Sequence, residues 1–146
     1  MLGAHRGRLR EAFEARAPAG GGKSTLVQIL RLILEQVLHV GQVVEVSLDD
    51  FLSSQQERKE RHIRTRWDVH ATNADLGSEC LWALKRAQSD DSCVELPCFS
   101  KGLDERQPEL RMVRGKVSLI IFEGWRVGVD HPNFEPFNTP IDLLMY

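Results

Sequence analysis

The chain has 146 residues, 42% hydrophobic and 27% charged, a composition that excludes a disordered chain and fits one soluble domain with a single core. A formal net charge of -2 excludes a global attraction to nucleic acid or to an acidic membrane, so no nucleic-acid or membrane partner is expected and any anion site has to be built locally. Cys80, Cys93 and Cys98 show no C-x-x-C or Cys/His ligand spacing, which points to a reduced, cytoplasmic setting.

The first residues, MLGAHRGRLREAFEAR, carry Arg6, Arg8, Arg10 and Arg16 together with Glu11 and Glu14, and lack the apolar stretch of a secretion signal. A central parallel strand reads as a nearly continuous apolar run, whereas Leu2, Leu9 and Phe13 fall near helical spacing. Residues from about Arg6 to Ala15 are therefore expected to be helical or irregular and to stay out of the sheet, leaving an unpaired seam that weakens the isolated chain.

The stretch ARAPAGGGKSTL, Ala15 to Leu26, matches the phosphate-binding pattern G-x-x-x-x-G-K-[ST] with Ala17 at the first glycine. Gly20, Gly21 and Gly22 let backbone N–H groups approach a polyphosphate closely. Lys23 can reach the β- and γ-phosphates, the Ser24 hydroxyl can bind Mg2+, and Thr25 supports the first helical turn. From Ser24 to about His39, apolar residues recur at helical spacing and spread past one face, which predicts a helix buried on more than one side.

Gly41 ends that helix, and QVVEVSLDD predicts a strand over about Val43 to Leu48 that closes on Asp49 and Asp50. The basic run RKERHIRTR that follows reads either as a solvated, partly helical face or as a clamp for an anionic substrate. A second amphipathic helix is predicted over Asp75 to Gln88 and a strand in SCVELP, while CFSKGLDERQPELRMVRG reads as a long connection. KVSLIIFEGW is an apolar strand ending on Glu123, DHPNFEPFNTP is a loop, and IDLLMY begins a further strand. The histidines show no metal-ligand spacing; Trp67 and Trp82 read as packing residues, and Trp125, directly after the acid-ended strand, could line a pocket.

Strands separated by crossovers predict an α/β fold with a mainly parallel sheet, whose ligands bind at the carboxyl ends of the strands. That places the phosphate loop, Asp49, Asp50 and Glu123 on one rim. A carboxylate after the strand that follows the loop helix can accept a hydroxyl proton or contact a metal. An acid closing an apolar strand is poorly solvated unless it serves a metal or water.

The pieces APAGGGKSTL, LDDFL, LPCFSKGLDERQP and LIIFEGWRVG together resemble the P-loop small-molecule kinases that include phosphoribulokinase, uridine kinase, pantothenate kinase and the glycerate 3-kinase-like proteins. The resemblance covers most of Ala17 to Gly128 and implies a three-layer P-loop nucleoside triphosphate hydrolase fold, with residues 1–16 a non-family segment and 17–146 a partial kinase domain. By it the first strand and the C-terminal lid region are expected to be missing. It implies ATP and Mg2+ as cofactors, Asp49 as catalytic base with Lys23 beside the phosphates, and Ser24 and Glu123 at the metal. Asp50, Lys101 and Arg106 fall on the substrate side. Ser100 and Asp104 depart from the nucleoside-kinase loop P-x-Y-D-x-x-x-H-x-R, and Lys101, Asp104 and Arg106 are more similar to the loop of glycerate-type kinases. The expected activity is phosphoryl transfer to a hydroxyl of a small, glycerate-like acid; the alternatives are a non-catalytic nucleotide-binding fragment and a GTPase, the latter without an N-K-x-D motif.

Overall fold

A computed structural model describes residues 12–15 and 23–145. Its centre is a sheet in the order β2-β7-β1-β8, formed by Val43–Ser47 (β2), Leu119–Glu123 (β7), Ala12–Ala15 (β1) and Leu143–Met145 (β8). All three pairings within it are parallel. The five residues of β7 are all buried, as a strand covered on both faces must be.

Alternation along the strands sorts their side chains into two cores. Val44, Val46, Ile120 and Phe122 face a large cluster built with helix α3 (Ala74–Arg86) and the short helix α4 (Glu135–Asn138). Val43, Leu119 and Ile121 face Val27 of helix α1 (Lys23–Leu32) in a much smaller one. The layers are thus α1, the sheet, and α3 with α4. The large core is aromatic, with Phe51, Phe122, Phe134 and Phe137 in mutual ring contact. Gly77 lets α3 approach it, since a Cβ there would overlap the Phe137 ring.

The inner position of β1 overturns the expectation that the residues ahead of the phosphate loop avoid the sheet. Ala12 to Ala15 pair with Ile120 to Glu123 on one side, and Phe13 to Ala15 with Leu143 to Met145 on the other. The strand needs only four residues, AFEA, three of them apolar. Arg6, Arg8, Arg10 and Arg16 lie outside those four, and averaging their charge over the whole segment concealed the strand. The unpaired seam and the missing first strand fall with it.

Helix α1 continues as a π-helical turn over Ile33–Val37, close to the predicted span. Its predicted burial on more than one side does not hold: Leu26, Ile29, Leu32, Ile33, Val37 and Leu38 are all exposed. Among the described residues only one side of the helix has the sheet to pack on.

Strand β3 (Cys93–Leu96) forms, but pairs antiparallel with β6 (Arg111–Arg114) outside the parallel sheet. The segment expected as a plain connection also holds a tight hairpin, β4 (Phe99–Ser100) with β5 (Glu105–Arg106). Strands this short carry no readable period. Within the predicted loop DHPNFEPFNTP, a 3-10 turn over Pro132–Phe134 leads into α4.

Candidate active site

Strand β7, which ends on Glu123, and strand β2, which leads into Asp49 and Asp50, finish side by side. In the sheet register, Ser47 of β2 pairs with Glu123 of β7, and Glu123 pairs with Ala15 of β1. The chain leaves β2 through a 3-10 turn, Leu48–Phe51, whose N-cap is Ser47: its Oγ accepts the Asp49 N–H at 3.4 Å. That turn sets Asp49 and Asp50 over the carboxyl end of the sheet. A cleft of about 240 Å³ opens there, lined by Val27, Ser47, Asp49, Asp50, Lys101 and Glu123 among others. The predicted rim therefore exists for these acids, and Lys101 joins them from the β4–β5 hairpin.

Gly20, Gly21 and Gly22, the predicted phosphate-binding glycines, lie outside the described residues. Lys23 and Ser24 are the first two residues of α1, so they occupy the helical turn whose N–H groups have no intrahelical acceptor. Thr25 follows in that turn and is exposed.

The acids differ sharply in their surroundings. Asp49 Oδ2 is 2.7 Å from Lys101 Nζ, whose side chain is 64% exposed. An ion pair with so exposed a partner is weak and readily exchanged. Its bond to Asp49 raises the Lys101 pKa, and the nearby Glu123 charge adds to the effect. Asp50 is fixed instead: its Oδ1 accepts the Phe99 N–H at 3.2 Å. Burial pushes the Asp50 carboxyl above its ordinary value, against the Phe99 hydrogen bond and the Arg111 charge that pull it down.

Glu123 is only 9% exposed, and its carboxylate makes no hydrogen bond or ion pair with a described residue. Its oxygens are not among the fully buried unsatisfied atoms and the residue lines the cleft, where water or a cation can meet them. No group of three or more His, Cys, Asp or Glu able to hold a metal by itself occurs among the described residues. A hard cation at Glu123 would need its other oxygen ligands from elsewhere, such as phosphates or water. Gly124 turns the chain directly after the acid, where a Cβ would overlap Leu48 and crowd Val127.

Arg106 stands apart from these groups and is absent from the cleft lining. Its Nη2 donates to the Leu52 carbonyl at 3.1 Å and its Nη1 approaches Glu57 at 3.4 Å, so it ties the hairpin to α2 (Gln55–Glu60). Two arginines of the basic run do similar work unseen in the sequence. Buried Arg58 and Arg66 both bind Asp104, at 2.5 and 3.1 Å, and Arg66 also donates to the Lys101 carbonyl at 2.9 Å. Asp104 sits at a φ of 53°. The hairpin carrying Lys101 is thereby anchored at its tip.

A parallel sheet with helices on both faces is the fold of P-loop small-molecule kinases of known structure. Solved structures sharing it include D-glycerate 3-kinase from Cryptococcus neoformans var. grubii, 25% identical over 80% of this chain and 43% of that one, with a TM-score of 0.69. A candidate fructose transport system kinase from Silicibacter sp. TM1040 superposes with a TM-score of 0.79 at 20% identity, covering 95% of this chain and 65% of that one. Phosphoribulokinase from Rhodobacter spheroides gives a TM-score of 0.58 at 13% identity, over 93% of this chain and 50% of that one. This chain thus spans 43% to 65% of the length of these structures. No protein-family model and no curated protein matches it significantly. Among the described residues no helix is long and apolar enough to cross a membrane.

Proposed function

We propose that this chain carries the catalytic rim of an ATP-dependent kinase that phosphorylates a hydroxyl of a small acidic metabolite. The observation that carries the reading is the buried Glu123, in register with Ser47 and without a hydrogen bond to a described residue, lining one cleft with Asp49, which pairs with the exposed Lys101. The proposed domain, set at residues 17–146 by the motifs, takes in β1 as well.

In this reading the glycines Gly20, Gly21 and Gly22 wrap the nucleotide phosphates, Lys23 offsets their charge, and Ser24 and Glu123 hold Mg2+. The metal, when bound, neutralises charge developing on the phosphates. Asp49 takes the proton of the acceptor hydroxyl as its oxygen bonds the γ-phosphorus, and the bond from that phosphorus to the bridging oxygen breaks, leaving ADP. Asp49 suits the role better than Asp50, because its ion pair can be exchanged whereas Asp50 is buried and held by backbone. Lys101, freed by that exchange, is left to face the acceptor. Asp50 and Arg106 support the substrate side indirectly, by fixing the hairpin that bears Lys101. A glycerate-like acid is favoured by the similarity to the D-glycerate 3-kinase structure and by Lys101, which lines the cleft.

The test is a pair of variants. Calorimetry should show Mg-ATP binding weakened by about 1.5–3 kcal/mol in Lys23→Ala, the value of a charge-assisted contact. Asp49→Asn should retain nucleotide binding and lose phosphoryl transfer. Equal ATP affinity in Lys23→Ala and wild type would sink the nucleotide site. Binding without any transfer by wild type would leave a nucleotide-binding fragment.

A further inference from the structure

The cleft at the ends of β2 and β7 has a second cation that the proposed chemistry does not use. Arg111, the first residue of β6, lines it together with Asp49, Asp50, Lys101 and Glu123. Its neighbours there are engaged with one another or with the backbone. Lys101 pairs with Asp49 at 2.7 Å, Glu45 pairs with Arg31 at 3.0 Å, and Asp50 accepts the Phe99 N–H. Arg111 has no carboxylate within ion-pair distance among the described residues, although its charge is felt at Asp50 against the effect of burial. Its one hydrogen bond runs from Nη2 to the Glu45 carbonyl, at 2.5 Å. That anchor is firm, because Glu45 pairs with Ile121 in the sheet and its side chain is held by Arg31. A guanidinium carries five N–H donors in a rigid fork, so whichever Nη2 hydrogen is engaged, one two-donor edge stays open. Such an edge matches two oxygens of a carboxylate or phosphate.

The balance of charge says what this fork would meet. A small acid entering the cleft faces Asp49, Asp50 and Glu123, and needs a cation that none of them already holds. Of the two cations lining the cleft among the described residues, Lys101 is engaged by Asp49, and only Arg111 meets that condition. The cleft, at about 240 Å³, is also smaller than the ~300–1,000 Å³ of sites that take drug-sized ligands, which suits a compact acceptor. We propose that Arg111 seats the oxyanion of the acceptor, a carboxylate or phosphate on a small molecule whose hydroxyl faces Asp49. The proposal rests on the kinase reading and names the residue that makes the cleft select an acid over a neutral alcohol. The alternative is that Arg111 only caps the outer edge of β2, the end strand of the sheet, and faces the groove that it shares with Gln28 and Arg31, which needs no ligand in the cleft.

Calorimetry on the full chain measures Mg-ADP first and then, at saturating Mg-ADP, D-glycerate, glycerol 3-phosphate and neutral glycerol. At least one of the two acids should bind saturably, glycerol at least tenfold more weakly, and the tighter acid identifies the oxyanion. Arg111→Gln should weaken that acid at least tenfold and leave Mg-ADP affinity unchanged. Arg111→Lys, which keeps the charge and loses the fork, should bind the acid several-fold more weakly than wild type, and it carries the test should Arg111→Gln fail to fold. A capping role alone predicts a lower melting temperature with acid affinity unchanged. Unchanged acid affinity in a folded variant, or no acid binding by a wild type that binds Mg-ADP, overturns the proposal and leaves the kinase reading in place. A wild type that does not bind Mg-ADP defeats the kinase reading, and the proposal falls with it.

Discussion

The two faces of the central sheet are built very differently. On one, Phe51, Phe122, Phe134 and Phe137 interlock beneath α3 and α4 and reach down to Leu96 and Val113 of the β3–β6 pair. On the other, among the described residues, α1 and the turn after it cover Val43, Leu119 and Ile121, and leave Leu26, Ile29, Leu32 and Val37 to solvent, the last 66% exposed. The residues proposed for chemistry divide along the same line. Asp49 and Asp50 leave the sheet on a turn whose Leu48 and Phe51 are sunk in the aromatic core, whereas Lys23 and Ser24 open the thinly covered helix. Rigidity on the proposed acceptor side and lighter packing on the proposed nucleotide side follow from where apolar area is buried.

The largest effect expected from this asymmetry is at Phe122. Phe122→Ala should cost about 3–5 kcal/mol in urea unfolding, as truncation of a packed aromatic does. Val27→Ala, the central contact of the other face, should cost only about 1.5–3 kcal/mol. A greater loss at Val27 would break the comparison. A smaller and pH-dependent effect is expected at Asp50. Because burial raises its folded-state pKa, the native protein binds more protons than the unfolded chain between the ordinary value and the raised one, so its contribution to stability is lost as pH rises through that window. Asp50→Asn, which keeps an oxygen for the Phe99 N–H, should therefore melt a few degrees higher at pH 7, with the gain vanishing in acid. A lower melting temperature at pH 7 would show that the Arg111 charge outweighs the burial. The smallest effect belongs to the outer side of α1. Replacing Leu32 and Val37 together by Gln should change stability by no more than about 0.5 kcal/mol per site while reducing aggregation. A loss well above that in dilute solution would mean that this side is covered.

What the sequence disclosed follows the same physics. The places of Asp49, Asp50 and Glu123 were legible because Glu123 closes an apolar strand and the two aspartates follow another within three residues, and a parallel sheet brings such ends onto one rim. Helix α3 was legible from its period, within two residues at either end. The strand β1 was not, because four residues among arginines leave no pattern, and only β7 and β8, more than a hundred residues away in sequence, make a strand of them. The anchoring of the hairpin was invisible for the same reason: Arg58 and Arg66 reach Asp104 across 46 and 38 residues. The apolar breadth of α1 misled in the opposite direction, since hydrophobic residues on every side of a helix say that cover is wanted, not that the described chain provides it.

Gly124 links the two acids more closely than their distance in sequence suggests. The side chain it lacks would occupy the space of Leu48, the residue immediately ahead of Asp49. Even one methyl group at 124 would act as a lever, lifting the turn after β2 and swinging Asp49 away from Glu123. A side chain at position 124 would therefore be felt first at Leu48 and, through it, at Asp49 on the other wall of the cleft.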